Sequence, residues 1–89
     1  MQSVLKYLAS NQARFIEELC KYLRFPSISA HSDHRPDMRA CADWLVAHCR
    51  KMGLKAQRHA TSGHPLVTAS TPRRKGRPHF LVYGHYDVQ

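Results

Sequence analysis

Eighty-nine residues make one domain at most, because a chain this short buries only about 60 to 65% of its unfolded surface and its core is necessarily thin. Hydrophobic residues at 43% and charged residues at 22% describe an ordinary folding sequence and exclude disordered, collagenous and coiled-coil classes. Fourteen Lys and Arg against six Asp and Glu give a formal charge of +8, which suits an anionic partner only if the charge is concentrated somewhere.

Three cysteines, Cys20, Cys41 and Cys49, form no Cys-x-x-Cys pair and are odd in number, so neither a disulfide framework nor a thiolate zinc site is indicated. A reducing, cytoplasmic setting fits this usage. Polar residues interrupt every apolar stretch up to Cys20, so the N-terminus lacks the apolar core of a signal peptide. No run approaches the ~18 apolar residues of a membrane span, and no membrane partner is expected.

In chain order, Val4, Leu8, Phe15, Leu19 and Leu23 recur with Leu5, Ile16 and Cys20 beside them at helical spacing, predicting one amphipathic helix from Val4 to Leu23. Pro26 stops it at Phe25, and Ser27 to Ser32 reads as loop. Pro36 and Asp37 suit a first helical turn. Met38, Cys41, Ala42, Leu45, Cys49 and Met52 then keep the helical period until Gly53 ends it.

After Gly53 the period falls towards two, predicting a half-exposed strand over Leu54 to Ala60, a turn at Ser62-Gly63-His64-Pro65 and a hairpin partner from Leu66 to Thr71. Pro72 to Pro78 is a basic loop. Phe80-Leu81-Val82-Tyr83 is continuously apolar, as expected of a strand covered on both faces. The fold class is therefore α/β, with two helices followed by three strands. A most-apolar strand in last place would form an exposed sheet edge, which local physics reads as the N-terminal piece of a larger α/β domain.

The chemistry-bearing segment follows that strand. In extended chain His85 and Asp87 project to the same side, and active sites of open α/β sheets lie beyond the carboxyl ends of strands. Neutral imidazole suits zinc or manganese, and a nearby carboxylate can fix its orientation. His-x-Asp by itself is a common dipeptide spacing and serves equally as an unremarkable loop pair.

The run Val82-Tyr83-Gly84-His85-Tyr86-Asp87-Val88-Gln89 resembles the first metal-site motif of the co-catalytic zinc peptidases and amidohydrolases. These include carnosinase, cytosolic non-specific dipeptidase, acetylornithine deacetylase and succinyl-diaminopimelate desuccinylase. Leu23 to Ser29, Ala42 to Leu45 continuing through Met52-Gly53-Leu54, and Thr61 to Pro65 resemble the family's preceding segments in order.

The resemblance implies that residues 1–89 are the N-terminal part of one metallopeptidase catalytic domain, ending just after the first metal motif. It implies a two-zinc hydrolase, with manganese the alternative metal, in which His85 is a metal ligand and Asp87 the acidic catalytic residue supporting it. Tyr86 with Asp87-Val88-Gln89 is similar to the dipeptidase branch, so a dipeptide or small amide is the implied substrate, with deacylation the alternative. A homodimer of the full-length form is compatible with it. The family's bridging Asp, Glu pair and late His lie downstream, so the 89 residues alone are expected to be catalytically incomplete.

Other residues favour plainer roles. His31, His34, His48, His59, His64 and His79 share no ligand spacing with a cysteine pair and read as surface or loop histidines, with His31 and His64 flanking segments of the resemblance. Cys41 and Cys49 fall on the apolar stripe of the second helix, and Trp44 reads as a packing anchor. Arg73-Arg74-Lys75-Gly76-Arg77 holds four of the fourteen basic residues. No aromatic residue interleaves it, so a solvated turn is favoured over nucleic-acid binding, although a small basic binding protein is the competing functional class.

Overall fold

The computed structural model describes all 89 residues. Helices α1 (Gln2–Ser10) and α2 (Gln12–Leu23) lead into a 3-10 turn (Ser32–His34), helix α3 (Arg35–Lys51) and strands β1 (Lys55–His59) and β2 (Leu66–Ser70). The architecture is mixed α/β, with helices followed by a two-stranded antiparallel sheet.

The expected first helix is two. Asn11 sits between them at φ −111°, ψ 11°, and its side-chain amide donates to the Tyr7 carbonyl at 2.9 Å. An asparagine that bonds its own helix backbone competes with regular helical geometry, and the axis breaks there although the apolar spacing runs through it. Neither α1 nor α2 buries a residue. Contact between α2 and α3 runs through aromatic stacking: Trp44 of α3 lies 5.9 Å from Tyr22 and 6.1 Å from Phe25, and within α3 it stacks on the His48 ring at 4.9 Å, centroid to centroid. Trp44 is therefore the packing anchor that the sequence suggested.

Helix α3 carries the core. Met38, Cys41, Ala42 and Val46 are buried on one stripe, and the helix packs on β1, where Ala56 is buried as well. Its end is set by backbone geometry: Gly53 adopts φ 89°, its N–H donates to the Arg50 carbonyl, and the Leu54 N–H donates to the Cys49 carbonyl, both at 3.0 Å. That double bond pattern requires a left-handed residue after the helix, which glycine supplies without a Cβ penalty. The chain then turns straight into β1. The hairpin pairs Lys55 with Ser70 through His59 with Leu66, and Arg50 of α3 donates to the Ala56 carbonyl at 3.0 Å.

The third expected strand does not form. Phe80, Leu81, Val82 and Tyr83 are 81 to 95% exposed and pair with nothing, since β1 and β2 bond only to each other. A strand exists only where a neighbour accepts its N–H and C=O groups, and apolar composition cannot replace that neighbour. Pairing resumes further on, where Ile28 and Val88 make an isolated parallel bridge. No helix is long and apolar enough to cross a membrane.

Candidate active site

The segment Tyr86–Val88 is fastened to three parts of the fold. Val88 N–H donates to the Ser27 carbonyl at 2.8 Å, and the Ser27 hydroxyl returns a bond to the Tyr86 carbonyl at 3.0 Å. Ser27 is 2% exposed, so both of its polar groups need these partners; an unsatisfied buried group would cost about 1–3 kcal/mol. The Tyr86 hydroxyl donates to the Pro65 carbonyl in the turn after β1. The Cys41 thiol, fully buried on α3, lies 4.0 Å from the Tyr86 carbonyl. Burial pushes the Tyr86 phenol and the Cys41 thiol up from their ordinary values.

These anchors place His85 and Asp87. His85 Nδ1 is 2.8 Å from Asp87 Oδ1, and the Ser29 hydroxyl donates to Asp87 Oδ2. Both carboxylate oxygens are thus occupied. The Ser29 bond first and the His85 bond second hold the Asp87 carboxyl below the usual carboxylate range. An ionised carboxylate only accepts, so His85 Nδ1 carries the proton and donates. In the neutral ring Nε2 then keeps its lone pair, on a side chain 77% exposed. His64 of the turn bonds through Nε2 to the Ser29 carbonyl at 2.9 Å, which ties the turn to the same loop.

The two expected site residues are brought together, side chain to side chain. His64 lies one contact away, through Ser29. Of the remaining histidines, His34 pairs with Asp37 at the start of α3, His48 faces Glu18 and Trp44, and His59 contacts Thr68 across the hairpin. Ser27 and Ser29 were not anticipated from sequence. Their signal was the alternation Ser27-Ile28-Ser29 directly after Pro26, a period of two inside a stretch that reads as loop.

The donor chemistry at His85 fits one ligand of a metal centre and no more. Imidazole with its Nδ1 proton fixed by a carboxylate presents Nε2 as a metal-binding lone pair. A catalytic zinc takes about three protein ligands, and no group of three or more His, Cys, Asp or Glu in this chain is arranged to hold an ion. Residues 79–87 border an open, mostly apolar hollow of about 1090 Å³, whose other walls include Met38, Leu45 and Cys49 of α3, Leu54, and Leu66 and Val67 of β2.

No family model and no solved structure matches the chain. It is similar to a Cys-Gly metallodipeptidase of Schizosaccharomyces pombe, 23% identical over 99 aligned positions that cover all of this chain and 21% of that protein. The corresponding Candida albicans metallodipeptidase is 29% identical over 102 positions, covering all of the chain and 21% of the relative. A cysteinylglycine-S-conjugate dipeptidase of Corynebacterium striatum is 28% identical over 82, covering 91% and 18%. The chain is thus dipeptidase-like at low identity, and it spans about a fifth of the length of the curated relatives it matches.

Proposed function

We propose that residues 1–89 form the N-terminal part of the catalytic domain of a metal-dependent dipeptidase, with His85 a metal ligand through Nε2 and Asp87 the residue that holds its ring. The observation carrying this reading is the Asp87–His85 pair, which fixes the tautomer that leaves Nε2 open. The similarity to Cys-Gly dipeptidases supports a dipeptide of that kind as substrate. Zinc is the favoured metal and manganese the alternative, since imidazole suits both. A divalent metal, when bound, supplies Lewis acidity towards the amide carbonyl and towards water.

This chain's own residues orient; they do not take a proton from water. Asp87 is committed at both oxygens, to His85 and to Ser29, so the general base of a hydrolysis comes from residues outside these 89. The 1090 Å³ hollow beside His85 and the unpaired Phe80–Tyr83 run support the same reading, because further sheet and core would occupy both. Three free thiols, with Cys20 exposed, suit a reducing compartment, and we place the protein in the cytoplasm.

The test joins these residues to the remaining four-fifths or so of a Cys-Gly metallodipeptidase. The 89 residues alone should hydrolyse Cys-Gly no faster than their His85→Ala variant, and the chimera should hydrolyse it with bound metal. In the chimera, His85→Ala should lose metal and activity together, whereas Asp87→Asn should keep metal and slow turnover about 10- to 100-fold. Full metal content and turnover in the His85→Ala chimera would overturn the assignment.

A further inference from the structure

Away from His85, a second concave surface of about 330 Å³ lies between α3, β1 and the turn that follows β1. Arg35 and Arg39, one helical turn apart on α3, form one wall, Arg58 of β1 another, and Thr61, Ser62 and Gly63 the rim. Only one of its nine lining residues is hydrophobic, and none is a carboxylate. The three guanidiniums are not equivalent. Arg58 is held by Asp43 at 3.1 Å, while neither Arg35 nor Arg39 has a carboxylate within ion-pairing distance.

Two guanidinium forks without a carboxylate partner stand beside a third that Asp43 holds, in a groove whose lining contains no acid, so the unbalanced charge there favours an anion. Guanidinium presents rigid paired donors that match the oxygens of phosphate, and its weak hydration makes it suited to such contacts. The turn adds the Ser62 hydroxyl. The Thr61 hydroxyl donates to the His64 carbonyl at 2.7 Å and accepts from the Gly63 N–H at 3.0 Å, so the rim is internally braced. A volume near 330 Å³ exceeds a single small ion and stands at the lower end of the roughly 300 to 1,000 Å³ typical of small-molecule sites.

We infer that this groove binds the phosphate group of a small phosphorylated molecule, with Arg35 and Arg39 as its principal contacts. The basic loop Arg73–Arg77 is a separate feature: it is exposed, lines no part of this groove and supplies unfocused charge. The groove and the His85 region share the His64-Pro65 end of the turn as a common wall, so occupancy is felt first in that turn. The inference does not depend on the dipeptidase reading, and either can fail without the other.

The test is a titration of the 89-residue protein at fixed ionic strength, followed through its backbone amide resonances, with inorganic phosphate, glycerol 2-phosphate and acetate in separate arms. Dispersed β1 and β2 amides in the same spectra report the folded hairpin. Phosphate and the phosphate ester should give saturable shifts in Thr61–His64 and at Arg35 and Arg39, with the ester binding more tightly and acetate giving none. The Arg35→Gln/Arg39→Gln double variant removes both principal contacts and should weaken binding at least about tenfold, since the loss of even one charge-assisted hydrogen bond is worth about that much. Removing positive charge from the first turns of a helix does not threaten its folding. The Arg73→Gln/Arg74→Gln variant removes the same charge elsewhere and should stay within about twofold of the parent. Equal weakening in both variants, shifts that never saturate, or acetate matching phosphate would overturn the proposal, and tighter binding of inorganic phosphate than of the ester would reassign the site to the free ion.

Discussion

Helix α3 and the run Phe80–Tyr83 are both rich in apolar residues, yet one holds the core and the other stands in solvent. Met38, Cys41, Ala42 and Val46 recur at helical spacing, and the helix satisfies its own backbone while that stripe packs on β1. Phe80–Tyr83 needs a second chain segment for its backbone before its side chains can be buried, and β1–β2 offers none. The lesson is that a helix can be stabilised from one side, whereas a strand is a property of a pair. Three residues further on, hydrogen bonds rather than apolar contacts restore order, through Ser27, Ser29 and Pro65.

The largest effect that separates the two regions is a truncation in each. Met38→Ala should cost about 2–5 kcal/mol, enough to unfold α3 and the hairpin of so small a core, whereas Leu81→Ala should change stability by less than about 0.5 kcal/mol. Urea unfolding followed by circular dichroism measures both. A Leu81→Ala penalty comparable to that of Met38→Ala would mean that the run is buried in solution.

Thiol accessibility sharpens the same contrast chemically. Cys20 is exposed, Cys49 is half-buried, and Cys41 is fully buried with its thiol pushed up by that burial. Timed alkylation at neutral pH should modify Cys20 at least about tenfold faster than Cys41, because the thiolate is the reacting form and must be reachable. Equal rates would show that α3 opens freely from the hairpin.

Acid should loosen the Tyr86–Val88 attachment before it touches the core. The Asp87 carboxyl is held below its ordinary value, so its contribution is present above the unfolded carboxylate range, near pH 3.9, and is lost as pH falls through the lower folded value. Hydrogen exchange at the Val88 amide should therefore accelerate at the acid end, and Ser29→Ala should move that acceleration to higher pH by removing the largest cause of the depression. An unchanged profile in Ser29→Ala would detach Asp87 from the loop.

The contrast also explains what was legible in the sequence. The α3 stripe, its glycine stop and the antiparallel hairpin were readable because each depends on residues close in the chain. The break at Asn11 was not, since Val4, Leu8, Phe15 and Leu19 keep their spacing across it and only the side-chain bond to Tyr7 reveals it. His85 and Asp87 were legible as a same-side pair. Ser29 was not, because its contact spans 58 positions and no local pattern encodes a loop folding back to a carboxylate.

The nitrogen chemistry of His85 tests the central assignment most directly. In long-range ¹H–¹⁵N spectra at a pH above imidazole titration, the account predicts a proton on Nδ1, donated to Asp87, and a bare Nε2 whose resonance moves first when zinc is added. Asp87→Asn should weaken that tautomer preference. A proton on Nε2 in the parent protein, or zinc perturbing other histidines while leaving His85 untouched, would contradict the reading of His85 as the chain's metal ligand.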